Sequence, residues 1–387
     1  MADIESLGYE LVYKAAEGVP APGTLDTSDG KIGIRSELRA LTGMQKEALV
    51  YDSQTGVQWR MVCDEGPYLN GTDLAPFPLA FYTTGMAFSF TTELMKHAKA
   101  AGIEIKNYKL TQDNYYTMQG SAIRGNMIGG ALPVEMAVEI ESDASSEALQ
   151  VIIDKAEQTS PAQRYMNNEM ENLFALSHNG QAVSPGDVTP SENQLQPEPT
   201  PHLEAAKPLD TAKFERDIIT KGKGAETVFG VEGGAGSSLQ ATQKRTLHVR
   251  GVVTIQDDGL LACDIQLFKP RGSNFRLLGD ESGNVRAPSS LSYLSAGVGF
   301  CFMTQIGRYA QIVKQDLKGY SVVQDSSFAI GTDGSEAFPV DTHTYLEMGE
   351  DDAAAQKNLY MSERTCFLHA AMRGSTKTVI KLEHQAS

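Results

Sequence analysis

Cysteine is scarce in this chain: there are four in 387 residues, at positions 63, 263, 301 and 366. That is too few to staple a fold together, so any pairing among them points to redox or catalytic chemistry. Basic residues are also short, 33 Lys and Arg against 49 Asp and Glu, for a formal charge of -16. Such a surface repels phosphate backbones and anionic membranes, which excludes nucleic acid as an expected partner. No apolar run approaches the roughly 18 residues that span a bilayer, and the start, MADIESLGYELVYKAAEG, lacks a basic-then-apolar leader. The expectation is a cytoplasmic protein with no membrane partner. Cys-x-x-Cys, His-Glu-x-x-His and Gly-x-Ser-x-Gly are all missing, which removes the signatures of thioredoxin-like sites, zinc proteases and serine hydrolases. Neither metal nor cofactor is expected. The stretch GVEGGAGSSLQATQ from Gly230 has no Gly-Lys-Ser/Thr after it, so it reads as a loop rather than a phosphate cradle.

What is present is an ordinary globular composition, 41% hydrophobic and 21% charged, in a chain long enough for two domains. Six prolines between Ser184 and Pro208 mark an extended connector, dividing the chain into 1–183 and 209–387. The two parts repeat one another. APFPLAFYTTGMAFSFTT (75–92) aligns without a gap to APSSLSYLSAGVGFCFMT (287–304) at an offset of 212, with seven of eighteen positions identical. Upstream, WRMVCDE matches FRLLGDE, and KIGIRSEL matches TLHVRGVV, which sets Arg35 against Arg250. Each half reads as strands, then a long apolar helix beginning near Pro76 or Pro288, more strands, a second helix and a last strand. That order makes an α+β fold. Gly85 and Gly297 occupy the same place on the two long helices, which predicts that these cross in close contact near a pseudo-twofold axis.

Cys301 lies in SAGVGFCFMTQIGRYAQ and Cys366 in SERTCFLHAAMRG. On residue type alone the two are equally readable as buried apolar fillers or as a reactive pair. Cys63 and Cys263 read as fillers, His343 and His369 as structural histidines, and Asn70-Gly-Thr72 as a turn. The alignment puts Ser89 opposite Cys301, and a looser match of AEQTSPAQ to SERTCFLH puts Ser160 opposite Cys366.

Three motifs carry a family resemblance: the FRLLGDE strand leading by a short loop to APSSL, the long helix with its cysteine in AGVGFCF, and the second cysteine in SERTCF. Together they resemble the OsmC/Ohr family of thiol-dependent peroxidases, over most of both halves. The resemblance implies a tandem form, with two OsmC-like domains paired inside one chain as a pseudo-twofold dimer. Long central helices would pack between antiparallel sheets, and only the second domain would carry both cysteines. Oligomerisation beyond that internal pair is left open. It further implies that Cys301 attacks an organic hydroperoxide, that Cys366 resolves the sulfenic acid as a disulfide, and that a dithiol reductant restores both. A reactive thiolate needs a nearby cation, and Cys301 is 13 residues past Pro288, too deep for the helix dipole to serve. Arg250, Arg276 and Arg286 are the candidates, with Arg250 preferred because the family draws its arginine from that region. Where Ohr-type members place a glutamate ten residues before the first cysteine, this chain has Leu291. Asp280 or Glu281 could stand in, or form a solvated strand end. The missing glutamate favours a competing expectation, a non-catalytic OsmC-like protein that binds a small apolar ligand.

Overall fold

The computed structural model describes residues 2–8, 10–15, 25–208, 217–223, 243–270 and 272–386, so the loop expected from Gly230 lies outside the described residues apart from its last position. In chain order the first half holds α1 (Ile4–Leu7), β1 (Val12–Lys14), β2 (Ile32–Ala40), β3 (Lys46–Asp52), β4 (Val57–Cys63) and α2 (Pro78–Ala100). It continues with β5 (Asn107–Gly120), β6 (Ile128–Ala131), β7 (Val134–Ser142), α3 (Ser146–Thr159), α4 (Pro161–Asn167), β8 (Asn172–His178), β9 (Gln181–Val183) and α5 (Thr200–Ala205). The second half holds β10 (Ile219–Lys221), β11 (Gln243–Ile255), β12 (Leu261–Lys269), β13 (Asn274–Gly279), α6 (Ser290–Val313) and β14 (Leu317–Ile330). After these come β15 (Ser335–Ala337), β16 (Val340–Met348), α7 (Asp352–Thr365), α8 (Phe367–Arg373) and β17 (Thr378–Ala386). The fold is therefore mixed α and β, and from β1 and β10 onward the two halves present their elements in the same order.

The long helices start two residues later than the prolines at 76 and 288 suggest. Pro78, not Pro76, takes the first turn of α2. In α6, Ser289 caps the helix by accepting from the Ser292 N–H at 3.2 Å, leaving Pro288 outside. A capping hydroxyl satisfies a donor that proline would merely lack. Asn70 does sit in a turn, at φ 61, directly after a short 3-10 segment.

Neither half closes a sheet by itself. One sheet runs β1-β4-β3-β2-β14-β16-β8-β9, and the other runs β10-β13-β12-β11-β5-β7-β17. Each thus begins with four strands from one half and continues with two from the other. The seams are β2 against β14 and β11 against β5, both antiparallel. At each seam an arginine stands directly across from an aspartate. Arg35 holds Asp325 through Nε at 2.7 Å, and Arg250 holds Asp113 through two bonds of 2.8 Å. Such cross-strand ion pairs fix register, because a one-residue slip would turn every side chain to the wrong face.

Between the sheets lie the two long helices, α6 packed on β2, β3 and β14, and α2 packed on β11, β12 and β5. They cross as the glycines predict. A Cβ on Gly85 would lie 2.6 Å from the Leu294 nitrogen, and one on Gly297 would lie 2.6 Å from the Tyr82 nitrogen. The backbones approach closely only because both positions lack a side chain. No described helix is long and apolar enough to cross a membrane.

The proline-rich stretch 184–208 is held down more firmly than a free connector would be. Gln196 donates its N–H to His343 Nδ1 at 3.0 Å, Tyr345 donates to the Gln196 carbonyl, and His202 and Glu204 engage Glu37 and Arg39. Near its start it bridges β8, with the Phe174 N–H donating to the Thr189 carbonyl at 2.9 Å and the Ser191 N–H donating to the Phe174 carbonyl at 2.7 Å, a pairing that asks nothing of the missing N–H of Pro190. Farther on it runs as a strap over the β2 and β16 face that points away from the helices.

Candidate thiol site

Cys301 sits midway along α6, buried in its apolar surroundings, with only 3% of its surface exposed. Cys366, fully buried, ends α7 and starts α8 at an extended φ/ψ of −67°, 120°. The expected order of second helix, cysteine and closing strand therefore gains an additional short helix. This break turns the chain so that Cys366 and the backbone N–H groups of Phe367 and Leu368 come near the Cys301 side chain and influence its titration. Burial pushes the Cys301 thiol well above the ordinary range, the neighbouring Cys366 pushes it further, and the two N–H groups pull it back. The sequence did not disclose those donors, since they are backbone atoms exposed by a helix break.

Aromatic side chains close the site. Phe300 packs on Phe81 of α2 at 5.2 Å, Phe302 on Phe174 of β8 at 5.7 Å, and Phe367 on Tyr116 of β5 at 5.6 Å. Tyr116, from the first half, lies near both cysteines of the second. Tyr116 in turn is held protonated by burial and by its proximity to Cys301.

The three candidate arginines are all engaged with carboxylates. Arg276 lies 3.3 Å from Asp264, and Arg286 donates from Nε to Asp280 at 2.9 Å. Arg250 stays on Asp113, which also meets His248 at 2.5 Å. Strand alternation sends Arg250 to the opposite face from Val249 and Gly251, and it is Gly251 that lies against Thr83 of α2. The Asp-Glu pair is no solvated strand end. Asp280 is buried and holds Arg286, while Glu281 accepts the Ser290 N–H at the start of α6. Leu291 is buried in the core. Cys63 and Cys263 are fully buried, and burial pushes the Cys263 thiol up to about 12. Cys63 faces Lys46 across the β3–β4 pair, which offsets part of the same burial effect.

At the matching place in the other half, Ser89 of α2 and Ser160, between α3 and α4, are both buried and share a hydrogen bond of 2.8 Å. The residues aligned with the two cysteines are therefore also in contact.

No family model matches this chain, and no curated protein does. Among solved structures the chain is similar to an OsmC-like hydroperoxide resistance protein from Jannaschia sp. CCS1, at 24% identity and a TM-score of 0.20, over 31% of this chain and 79% of that one.

Proposed function

We propose that the chain is a thiol-dependent peroxidase of the OsmC/Ohr kind, a tandem pair of domains in which only the Cys301–Cys366 site reacts. One observation carries the reading: two cysteines 65 residues apart in sequence are brought near one another at a helix break. In the first step the Cys301 thiolate attacks the outer oxygen of an organic hydroperoxide. An S–O bond forms, the O–O bond breaks, and the alcohol leaves with a proton while sulfur is oxidised to a sulfenic acid. Cys366 then attacks that sulfur, the S–S bond forms, and the hydroxide leaves as water once protonated. A dithiol reductant restores both thiols by exchange. The N–H groups of Phe367 and Leu368 support the first step by stabilising the thiolate, and the apolar walls suit an alkyl peroxide.

The test is consumption of an alkyl hydroperoxide with a dithiol reductant, comparing the native chain with Cys301→Ser. Loss of turnover in the variant is the expected result, and equal rates sink the reading. Arg250 enters the proposal only as the cation that the family resemblance prefers, since it is held on Asp113 on the sheet face turned away from the helices and would have to leave that carboxylate to act on Cys301. Its variant Arg250→Ala should lose rate with the fold intact, whereas an unchanged rate transfers activation to the two backbone donors. The burial of Cys301 favours a second reading, a non-catalytic protein that holds a small apolar ligand at this place. Binding of an alkyl ligand without peroxide turnover would select it.

A further inference from the structure

Behind the cysteine pair lies a second group of buried side chains whose polar atoms are unmatched. His369, three residues past Cys366 on α8, is fully buried, with its ring 5.0 Å from Phe302 and edge-on to Phe174 at 5.6 Å. Neither ring nitrogen has a hydrogen-bond partner among the described residues. The same holds for both amide atoms of Asn172, the first residue of β8, and for the hydroxyl of Thr342 on β16. Thr342 stands in register with Phe174, two residues along β8 from Asn172 on the same face. Buried polar groups in native proteins are almost always satisfied, so five such atoms on α8, β8 and β16, elements that meet around Phe174, call for an occupant.

The other half shows what this place looks like when it is filled from within. Gln163 follows Ser160 by three residues as His369 follows Cys366, and Thr378 opens β17 as Asn172 opens β8. Met136 faces the third residue of β17 as Thr342 faces the third of β8. There Thr378 donates to Gln163 Oε1 at 2.8 Å, and Gln163 Nε2 reaches Met136 Sδ at 3.8 Å. The three positions are therefore close enough to touch. In the cysteine-bearing half, Asn172 and His369 stand at the corresponding positions without that internal bond.

We propose that His369, Asn172 and Thr342 form an internal site for a small neutral hydroxyl group, either a buried water or the hydroxyl end of a hydroperoxide or alcohol. A hydroxyl both donates and accepts, which matches a neutral imidazole, an amide and a threonine. The flanking Phe174 and Phe302 give a charged ligand no compensation for lost water. The site does not depend on the cysteines being reactive. It is tested with the full chain carrying Cys301→Ser and Cys366→Ser, labelled with 15N-histidine, by following the His369 ring nitrogens during titration with tert-butyl hydroperoxide and tert-butanol. A saturable shift with either compound, abolished by Asn172→Leu, assigns the site to a hydroxyl ligand. A cross-relaxation signal from His369 to a long-lived water, with no shift on titration, assigns it to buried water. Neither signal, together with a raised melting temperature for His369→Phe, overturns the proposal, because removing truly orphaned nitrogens would stabilise the fold. Peroxide turnover by the native chain is read separately, so each idea fails on its own evidence.

Discussion

Two buried places, one around Cys301 and Cys366 and one around Ser89 and Ser160, share a scaffold and differ in chemistry. Each joins the middle of a long helix to the break between two shorter ones. At one the partners are thiols, which can ionise, be oxidised and form a covalent bond. At the other they are hydroxyls 2.8 Å apart, with no route to a disulfide and far too weakly acidic to attack a peroxide unaided. The supporting residues diverge in step. Gln163 and Thr378 satisfy one another beside the serines, while His369 and Asn172 beside the cysteines do not. The lesson is that one fold can keep a site's geometry in both places while reserving reactive atoms and unmatched polar groups for one.

The largest effect should come from separating the halves. Each sheet needs β2 against β14 or β11 against β5, so fragment 209–387 would lose the partners of β11 and β14 and the helix that covers α6. It is expected to aggregate or to pair with a second copy, as chains with an obligate interface do. Light scattering after size exclusion decides this, and a stable monomeric fragment would show that the halves are independent after all.

Next in size is conversion of the silent site. The full chain should yield one oxidisable cysteine pair on titration with peroxide. Under a thiol oxidant such as diamide, a chain with Ser89→Cys and Ser160→Cys should yield a second disulfide, since the side-chain oxygens already sit within bonding approach. Mass spectrometry of the oxidised chain counts the bridges. Two pairs in the native chain, or still one in the variant, would break the equivalence of the two places.

A smaller difference should separate the two seam arginines. The Arg35 side chain is 8% exposed and Asp325 is left without its partner in a half-buried place, so Arg35→Ala should cost about 3 kcal/mol. The Arg250 side chain is 38% exposed and Asp113 keeps His248 as a second partner, so Arg250→Ala should cost no more than about 1 kcal/mol. Urea midpoints measure both, and equal losses would mean that the strap over the first sheet adds nothing to the burial of its seam.

The last expected effect concerns the matched glutamates. Both Glu65 and Glu281 are pushed up by burial, but Glu65 has Lys46 and Arg308 beside it, while Glu281 stays at about 7. A carboxyl whose folded pKa exceeds its unfolded one favours folding most at low pH. Stability should therefore fall as pH rises from about 4.5 through about 7. Glu281→Gln should flatten that slope, and parallel curves for the two proteins would assign the slope to other groups.

Much of this was legible in the residues because it depends on local pattern. Apolar periodicity marked the long helices, alternation marked β5, β14 and β16, and the paired glycines announced a close crossing that the structure contains. The gapless alignment also paired Ser89 with Cys301, and the looser match paired Ser160 with Cys366, because equivalent positions in equivalent elements meet equivalent neighbours. What could not be read was anything set by contacts distant in sequence. Which half completes which sheet depends on strand pairing across some 290 residues at the Arg35–Asp325 seam. The side of the sheet that Arg250 occupies follows from that pairing and from the alternation it imposes. The docking of the proline-rich strap depends on hydrogen bonds to β16, and the donors at Cys301 come from backbone exposed where α7 gives way to α8. The sequence alone determined the elements and the placement of the cysteines and serines within them. Only the tertiary structure decided which charges, backbone donors and unmatched polar atoms surround those side chains, since burial and pairing arise when segments far apart in the chain pack together.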